Sequence, residues 1–124
     1  MLIPVLHFDG DCEDAIALYE KAFSTKAEHY DYGDDGKVRH AEIVIHGQTI
    51  YLNDAKCFIR NTFGVGYTTH LALTFNSSNE LLACYAALKQ DDTDSSPFVE
   101  TRYSKLVGNF VDKVGILWGF MVVG

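Results

Sequence analysis

One order of elements runs twice through the 124 residues, and a chain patterned that way is expected to fold as a pair of modules. Residues 2–8 are apolar and stop at Asp9-Gly10-Asp11, a strand running into a turn. From Glu13 the spacing becomes helical, with Ala15, Ile16, Leu18, Tyr19, Ala22 and Phe23 on one broad stripe. Asp11 suits the N-cap, and Glu13 and Asp14 suit the positive end of the helix dipole. Residues 27–32 read as a short strand closed by Gly33-Asp34-Asp35-Gly36, whose residue types tolerate positive φ. Residues 38–46 alternate, with Ala41, Ile43 and Ile45 on one side and Val38, His40, Glu42, Val44 and His46 on the other. His46-Gly47 makes a turn, and residues 49–53 supply another strand.

After an irregular connector, roughly residues 54–66, the order begins again. A strand is expected over 68–75, an amphipathic helix over 80–89 after polar Asn76-Ser77-Ser78-Asn79, and a polar, acidic loop over 91–96. Residues 98–103, 105–112 and 116–123 are the remaining strands. Laid over the first half, His70 falls on Pro4, Leu82 on Ile16, Tyr85 on Tyr19 and Gly119 on Tyr51. Each half therefore reads βαβββ. The fold class is α+β, two βαβββ modules forming a curved mixed sheet around a cleft. A module of about 60 residues is marginal alone, so residues 1–124 are expected to be a single domain of two repeats, about 1–55 and 67–124.

Charge and cysteine usage narrow the function classes. With 17 Asp and Glu against 10 Lys and Arg, the formal charge is −7. No Lys/Arg cluster is present to neutralise phosphates, which argues against a nucleic-acid partner. Apolar runs of a few residues fall far short of the ~20 that span a bilayer, and the start has no basic region like that of a signal peptide. The expectation is a cytoplasmic protein with no membrane partner. Cys12, Cys57 and Cys84 are widely spaced and make no C-x-x-C pair, so reduced structural thiols are expected. Asp9-x-Asp11 lacks the other ligands of a calcium loop, and Gly64-Val65-Gly66 lacks the longer fingerprint of a nucleotide loop.

Three segments together resemble the vicinal oxygen chelate superfamily, which includes glyoxalase, bleomycin resistance proteins, fosfomycin resistance proteins and extradiol dioxygenases, and within it the PhnB-like branch. They are Phe8-Asp9-Gly10-Asp11-Cys12-Glu13-Asp14-Ala15-Ile16-Ala17-Leu18-Tyr19 with Lys21-Ala22-Phe23; His40-Ala41-Glu42-Ile43 with Gly47-Gln48-Thr49-Ile50; and Gly108-Asn109-Phe110-Val111-Asp112-Lys113-Val114-Gly115-Ile116-Leu117-Trp118. The resemblance covers nearly the whole chain and implies fold and branch more strongly than function, because one scaffold hosts several chemistries.

The resemblance also implies where a metal would sit. Metal-dependent members place ligands on the first and fourth strands of each module, which here are Pro4, Tyr51, His70 and Gly119. Of these only His70 binds a metal readily, and a divalent catalytic site needs roughly three His or carboxylate ligands. No cofactor is expected, with a divalent metal as the alternative. By strand parity from those positions, the concave face should carry Leu6 and Phe8, His40 and Glu42, Tyr51 and Asn53, His70, Ala72 and Thr74, Leu106 and Phe110, and Leu117 and Met121. Val5, Ile43, Leu71, Leu73, Phe75, Trp118 and Phe120 should meet the helices.

The expected ligand-binding cleft is thus Phe8, His40, Glu42, Tyr51, Asn53, His70, Phe110 and Met121, an apolar trough with a few polar groups. His40 and Glu42 are the candidate catalytic pair, an imidazole poised beside a carboxylate as a general base. The structural alternative has Glu42 accepting a hydrogen bond from His40 or Tyr51 within the sheet. His7 and His46 fall at strand ends, where a surface role is expected. The function expected is a small-molecule-binding protein that does not use the usual metal site. The alternative is a metal-dependent lyase, isomerase or dioxygenase-type enzyme with a site rebuilt from His40, Glu42 and His70. A small-molecule ligand and a homodimeric partner, as the resemblance implies, complete the expectation.

Overall fold

The computed structural model describes residues 1–54, 70–89, 98–102 and 104–123. The connector after Asp54, with Cys57 and Gly64-Val65-Gly66, and the acidic loop 91–96 lie outside the described residues. The chain divides into two compact units, Met1–Val65 and Gly66–Gly124.

The first unit runs β1 (Val5–Phe8), α1 (Cys12–Phe23), β2 (Glu28–Tyr32), β3 (Val38–Ile45) and β4 (Gln48–Asp54). Its sheet has the order β1-β4-β3-β2. β1 lies parallel to β4, and β3 is antiparallel to both β4 and β2. Gly10, at φ 91°, turns the chain from β1 into α1. Asp11 holds the N-cap position, but its side chain makes no capping bond; Glu13 and Asp14 occupy the first turn. Cys12, Ala15, Ile16 and Tyr19 are buried, the spacing of a single helix face; α1 packs on β3 and β4, where Ala41, Ile43, Ile50 and Leu52 are also buried.

At the far end of α1, Ser24 adopts the left-handed conformation and Glu20 Oε2 accepts from the Ala27 N–H at 2.8 Å. That bond delivers the chain to β2, an edge strand exposed along all five residues. In the β2–β3 turn, Asp35 accepts from the Lys37 N–H at 3.0 Å and from Arg39 at 3.2 Å. The Lys37 N–H, with the Arg39 guanidinium adding, holds the Asp35 carboxyl below the usual carboxylate range. The β3–β4 turn places His46 and Gly47 at φ 50° and 79°, the mirror-image geometry that matches the twist of a two-residue hairpin.

The second unit runs β5 (Leu71–Phe75), α2 (Ser78–Leu88), β6 (Val107–Val111) and β7 (Leu117–Val122), with sheet order β5-β7-β6. β5 is parallel to β7, and β6 is antiparallel to it. α2 begins two residues before the expected start, because Ser77 Oγ accepts from the Glu80 N–H at 3.2 Å, the first half of a capping box. Leu81, Cys84, Tyr85 and Leu88 are buried on it. Phe75, Phe110, Trp118 and Phe120 complete the aromatic core, with the Phe120 ring 4.8 Å from those of both Phe75 and Phe110.

Over the described residues 98–102, the strand expected over 98–103 is reduced to an isolated bridge. Val99 makes a single bridge to Val107, exchanging bonds of 3.0 and 2.9 Å. Pairing ends there because the chain turns at once: the Thr101 N–H donates to Ser104 O at 2.8 Å and the Ser104 N–H to Thr101 Oγ1 at 3.2 Å. Ser104 is buried and its Oγ lies 2.8 Å from the carbonyls of both Leu106 and Val122, tying the turn to β7. Among the described residues the two modules are therefore βαβββ and βαββ.

No helix among the described residues is long and apolar enough to cross a membrane.

Candidate functional site

Strand register decides which side chains share a face, and in the first unit it gathers the polar ones on the face away from α1. On β3 and β4, His40 pairs with Asn53 and Glu42 with Tyr51. β1 continues the two rows, His7 beside Asn53 and Val5 beside Tyr51. All four polar candidates, His40, Glu42, Tyr51 and Asn53, are half-buried. The parity expected for these two strands holds.

For β1 it does not. Leu6 and Phe8, expected in the cleft, are 9% and 2% exposed, whereas Val5 is 40% exposed. The expectation started from Pro4, but it is Val5 that lies beside Tyr51, so the frame is one residue out. Phe8 belongs to the core, and His7 takes its place on the polar face. His7 is thus a residue that sequence reading set aside as a strand end; its Nδ1 is buried. His46 is exposed in the β3–β4 turn, with its ring 6.2 Å from that of Phe23.

His40 is held on this face by two neighbours of β4. Its Nδ1 lies 2.6 Å from Asn53 Oδ1, and its ring meets Tyr51 edge-on at 5.0 Å and 80°. With Asn53 Oδ1 accepting, Nδ1 donates, and in the neutral imidazole Nε2 presents a lone pair. Nε2 stands 3.7 Å from Glu42 Oε2, outside hydrogen-bond range. Of the structural alternative, in which Glu42 accepts a bond from His40 or Tyr51, the His40 half is not met at this distance, and Asn53 holds the imidazole instead. Glu42 faces a cavity of about 430 Å³ lined also by Thr25, Lys26, Glu28, His29, Val44 and Thr49.

In the second unit His70 is exposed immediately before β5. Ala72 and Thr74 follow it at the same parity, level with Gly119 and Met121 of β7. A Cβ placed on Gly119 would lie 2.9 Å from Asn109 Oδ1 and 3.0 Å from the His70 ring. The space above this glycine is therefore taken up by those two side chains. Phe110, expected beside Met121, is only 7% exposed. It pairs with Trp118 and its ring lies 4.8 Å from that of Tyr85 on α2, so it is a core residue. Asn109 takes its place on the face of Gly119 and Met121. Leu106 precedes β6, bound through its N–H to Ser104 Oγ at 3.1 Å.

Among the described residues, the side chains do not compose a metal centre. No three His, Cys, Asp or Glu side chains gather among the described residues, and Tyr51 and Gly119 stand at two of the four positions that the sequence resemblance implies for ligands. His40 and Glu42 alone fall short of the roughly three donors that a divalent catalytic site needs.

The thiols at Cys12 and Cys84 are buried. Burial pushes Cys12 from its ordinary 9.0 up to about 12, with Asp54, Asp11 and Glu13 adding to it; burial alone takes Cys84 up to about 12. A thiol whose pKa is higher in the folded state stabilises that state fully below the unfolded pKa and loses the effect as pH rises towards the folded one. Unfolding free energy is therefore expected to fall as pH climbs from 9 towards 12. At pH 8 a Cys57→Ser variant should show no reaction with an aromatic disulfide reagent until urea unfolds it, and then two thiols per chain. Fast labelling of the native protein would contradict this.

No family model matches the sequence, and no curated protein matches it. Solved structures do. A PhnB protein from Bacillus cereus superposes with a TM-score of 0.83 at 23% identity, covering 98% of both chains. A fosfomycin resistance protein from Listeria monocytogenes, solved with Mn(II) and a dihydroxypropylphosphonic acid, gives 0.66 at 12% identity over 100% of this chain and 92% of that one. A lactoylglutathione lyase from Agrobacterium tumefaciens gives 0.62 at 12% identity, over 98% and 92%. The fold is the glyoxalase/bleomycin-resistance-like fold.

Proposed function

We propose that the chain is a PhnB-like member of the vicinal oxygen chelate superfamily, a single domain of two repeats over residues 1–124, that binds a small molecule in the cytoplasm without the usual metal. The observation that carries this reading is the set of half-buried polar side chains on the first sheet, with His40 held at 2.6 Å by Asn53 and flanked by Glu42 and Tyr51. Oriented polar groups beside an aromatic wall and a cavity are what a small-molecule site needs. The second sheet supports it with His70, Asn109 and Met121 on the face of Gly119. Of Pro4, Tyr51, His70 and Gly119, the positions that the resemblance points to, His70 is the one ready metal donor, short of the roughly three that a divalent catalytic site needs.

A thermal-shift screen tests this directly, because a ligand that prefers the folded state raises the midpoint. Hits are expected, and Tyr51→Ala or His40→Ala should abolish their shift while leaving the ligand-free midpoint within a few degrees. Hits that survive both substitutions would overturn the site. His70→Ala asks the same of the second sheet. A homodimer is part of the proposal, and sedimentation should give twice the chain mass.

The fixed His40 tautomer favours a second reading, with Nε2 as a general base. In D2O, exchange of an acidic ligand C–H that stops in His40→Ala would establish it.

A further inference from the structure

The acceptor pair on β3 carries the binding reading to a class of ligand. With the imidazole neutral, His40 Nε2, its lone pair directed by the Nδ1 bond to Asn53, and Glu42 Oε2 are both acceptors, 3.7 Å apart. Two acceptors this close favour a donor between them. A gap of that size fits two N–H bonds of about 2.9 Å, from one nitrogen or from the paired nitrogens of an amidine.

Charge points the same way. Glu28 is the direct cross-strand partner of Glu42, an arrangement that is unfavourable for like charges. Both line the 430 Å³ cavity, whose single Lys or Arg is Lys26. With the imidazoles neutral, the lining is left with one negative charge in excess. Glu28 also lies 3.8 Å from His29, but that pair is exposed, and a protonated His29 offsets little there. The Tyr51 ring adds an aromatic surface beside His40, a further attraction for a cation.

We propose that this face selects ligands bearing a cationic nitrogen, an amidinium, guanidinium or primary ammonium, whose N–H groups bridge His40 Nε2 and Glu42 Oε2. The inference rests on the binding function proposed above. Lys26 competes with such a ligand for the carboxylates, so its removal should tighten binding.

Benzamidinium, benzamide and benzoate share one ring and differ in charge, and can be titrated into the full chain while the His and Tyr ring resonances are followed by NMR. Benzamidinium should shift His40 and Tyr51 saturably, with benzamide about tenfold weaker and benzoate without effect. Glu42→Gln should weaken benzamidinium about tenfold, with unchanged spectral dispersion showing that the variant folds, and Lys26→Gln should tighten it. Equal binding of the three probes, a preference for benzoate, or no loss in Glu42→Gln overturns cation selection. If none of the probes moves those rings but thermal-shift hits do, cation selection alone has failed. If no compound moves them, the binding reading fails with it.

Discussion

Asp112→Ala is expected to destabilise the protein by about 3–4 kcal/mol, the cost of leaving several buried donors unsatisfied. Asp112 has no exposed surface. Its Oδ1 accepts from the N–H groups of Val114 and Ile116, each at 3.0 Å, and its Oδ2 accepts from Trp118 Nε1 at 2.8 Å. One carboxylate thus closes the β6–β7 turn and anchors the core tryptophan. The residue is the sole tryptophan of the chain, so urea unfolding followed by its fluorescence reads the effect at its source. Asp112→Asn should fall between wild type and alanine: one oxygen still serves the turn, while the amide nitrogen meets the indole N–H as a second donor. A loss below about 1 kcal/mol in the alanine variant, the worth of one ordinary hydrogen bond, would contradict this account.

Phe110→Ala is expected to cost about 3–5 kcal/mol, as removal of a packed aromatic ring does. The neighbouring Asn109→Ala should stay within about 0.5 kcal/mol. Phe110 packs with its ring 4.8 Å from those of Tyr85 and Phe120, whereas Asn109 is exposed on the opposite face. The same unfolding measurement on both variants checks the assignment. If Phe110 lined a binding face, the alanine variant would keep its stability and lose ligand instead.

That pair also shows where sequence reading succeeds and where it stops. On β3 the alternation is marked chemically, Arg39 aside: His40 and Glu42 interrupt Ala41, Ile43 and Ile45, and only one frame buries the apolar side. Along Leu106-Val107-Gly108-Asn109-Phe110-Val111 both frames are largely apolar, so parity has little to choose between. What decides is distant in sequence. Gly108 lies under Phe98, whose ring is 2.8 Å from where a Cβ would stand, and Tyr85 reaches Phe110 from α2. β1 has the same ambiguity, Leu6 and Phe8 against Val5 and His7, and is settled by the parallel pairing with β4.

Local chemistry explains the remaining differences. Ser77-x-x-Glu80 was visible as a helix start but sits in a polar run that also reads as a loop. The Thr101–Ser104 turn that cuts short the expected strand uses a threonine and a serine, types that a strand also accommodates. The fold class and the shared face of His40 and Glu42 were legible, since both follow from period and spacing. The hold of Asn53 on His40 was not, because a cross-strand partner is set by register.

The parallel pairing of first with last strand in each unit bears on the order of events during synthesis. β1 leaves the ribosome first yet has no partner until β4 follows, and β5 likewise waits for β7. Each sheet therefore stays incomplete until its final strand emerges, and such non-local closure is slow compared with hairpin formation. The antiparallel β3–β4 hairpin can form in the interval and present the edge on which β1 docks. β4 emerges ahead of β5 and well ahead of β7, so the first sheet can close while the second is still incomplete, and the nascent chain need not hold both modules open at once.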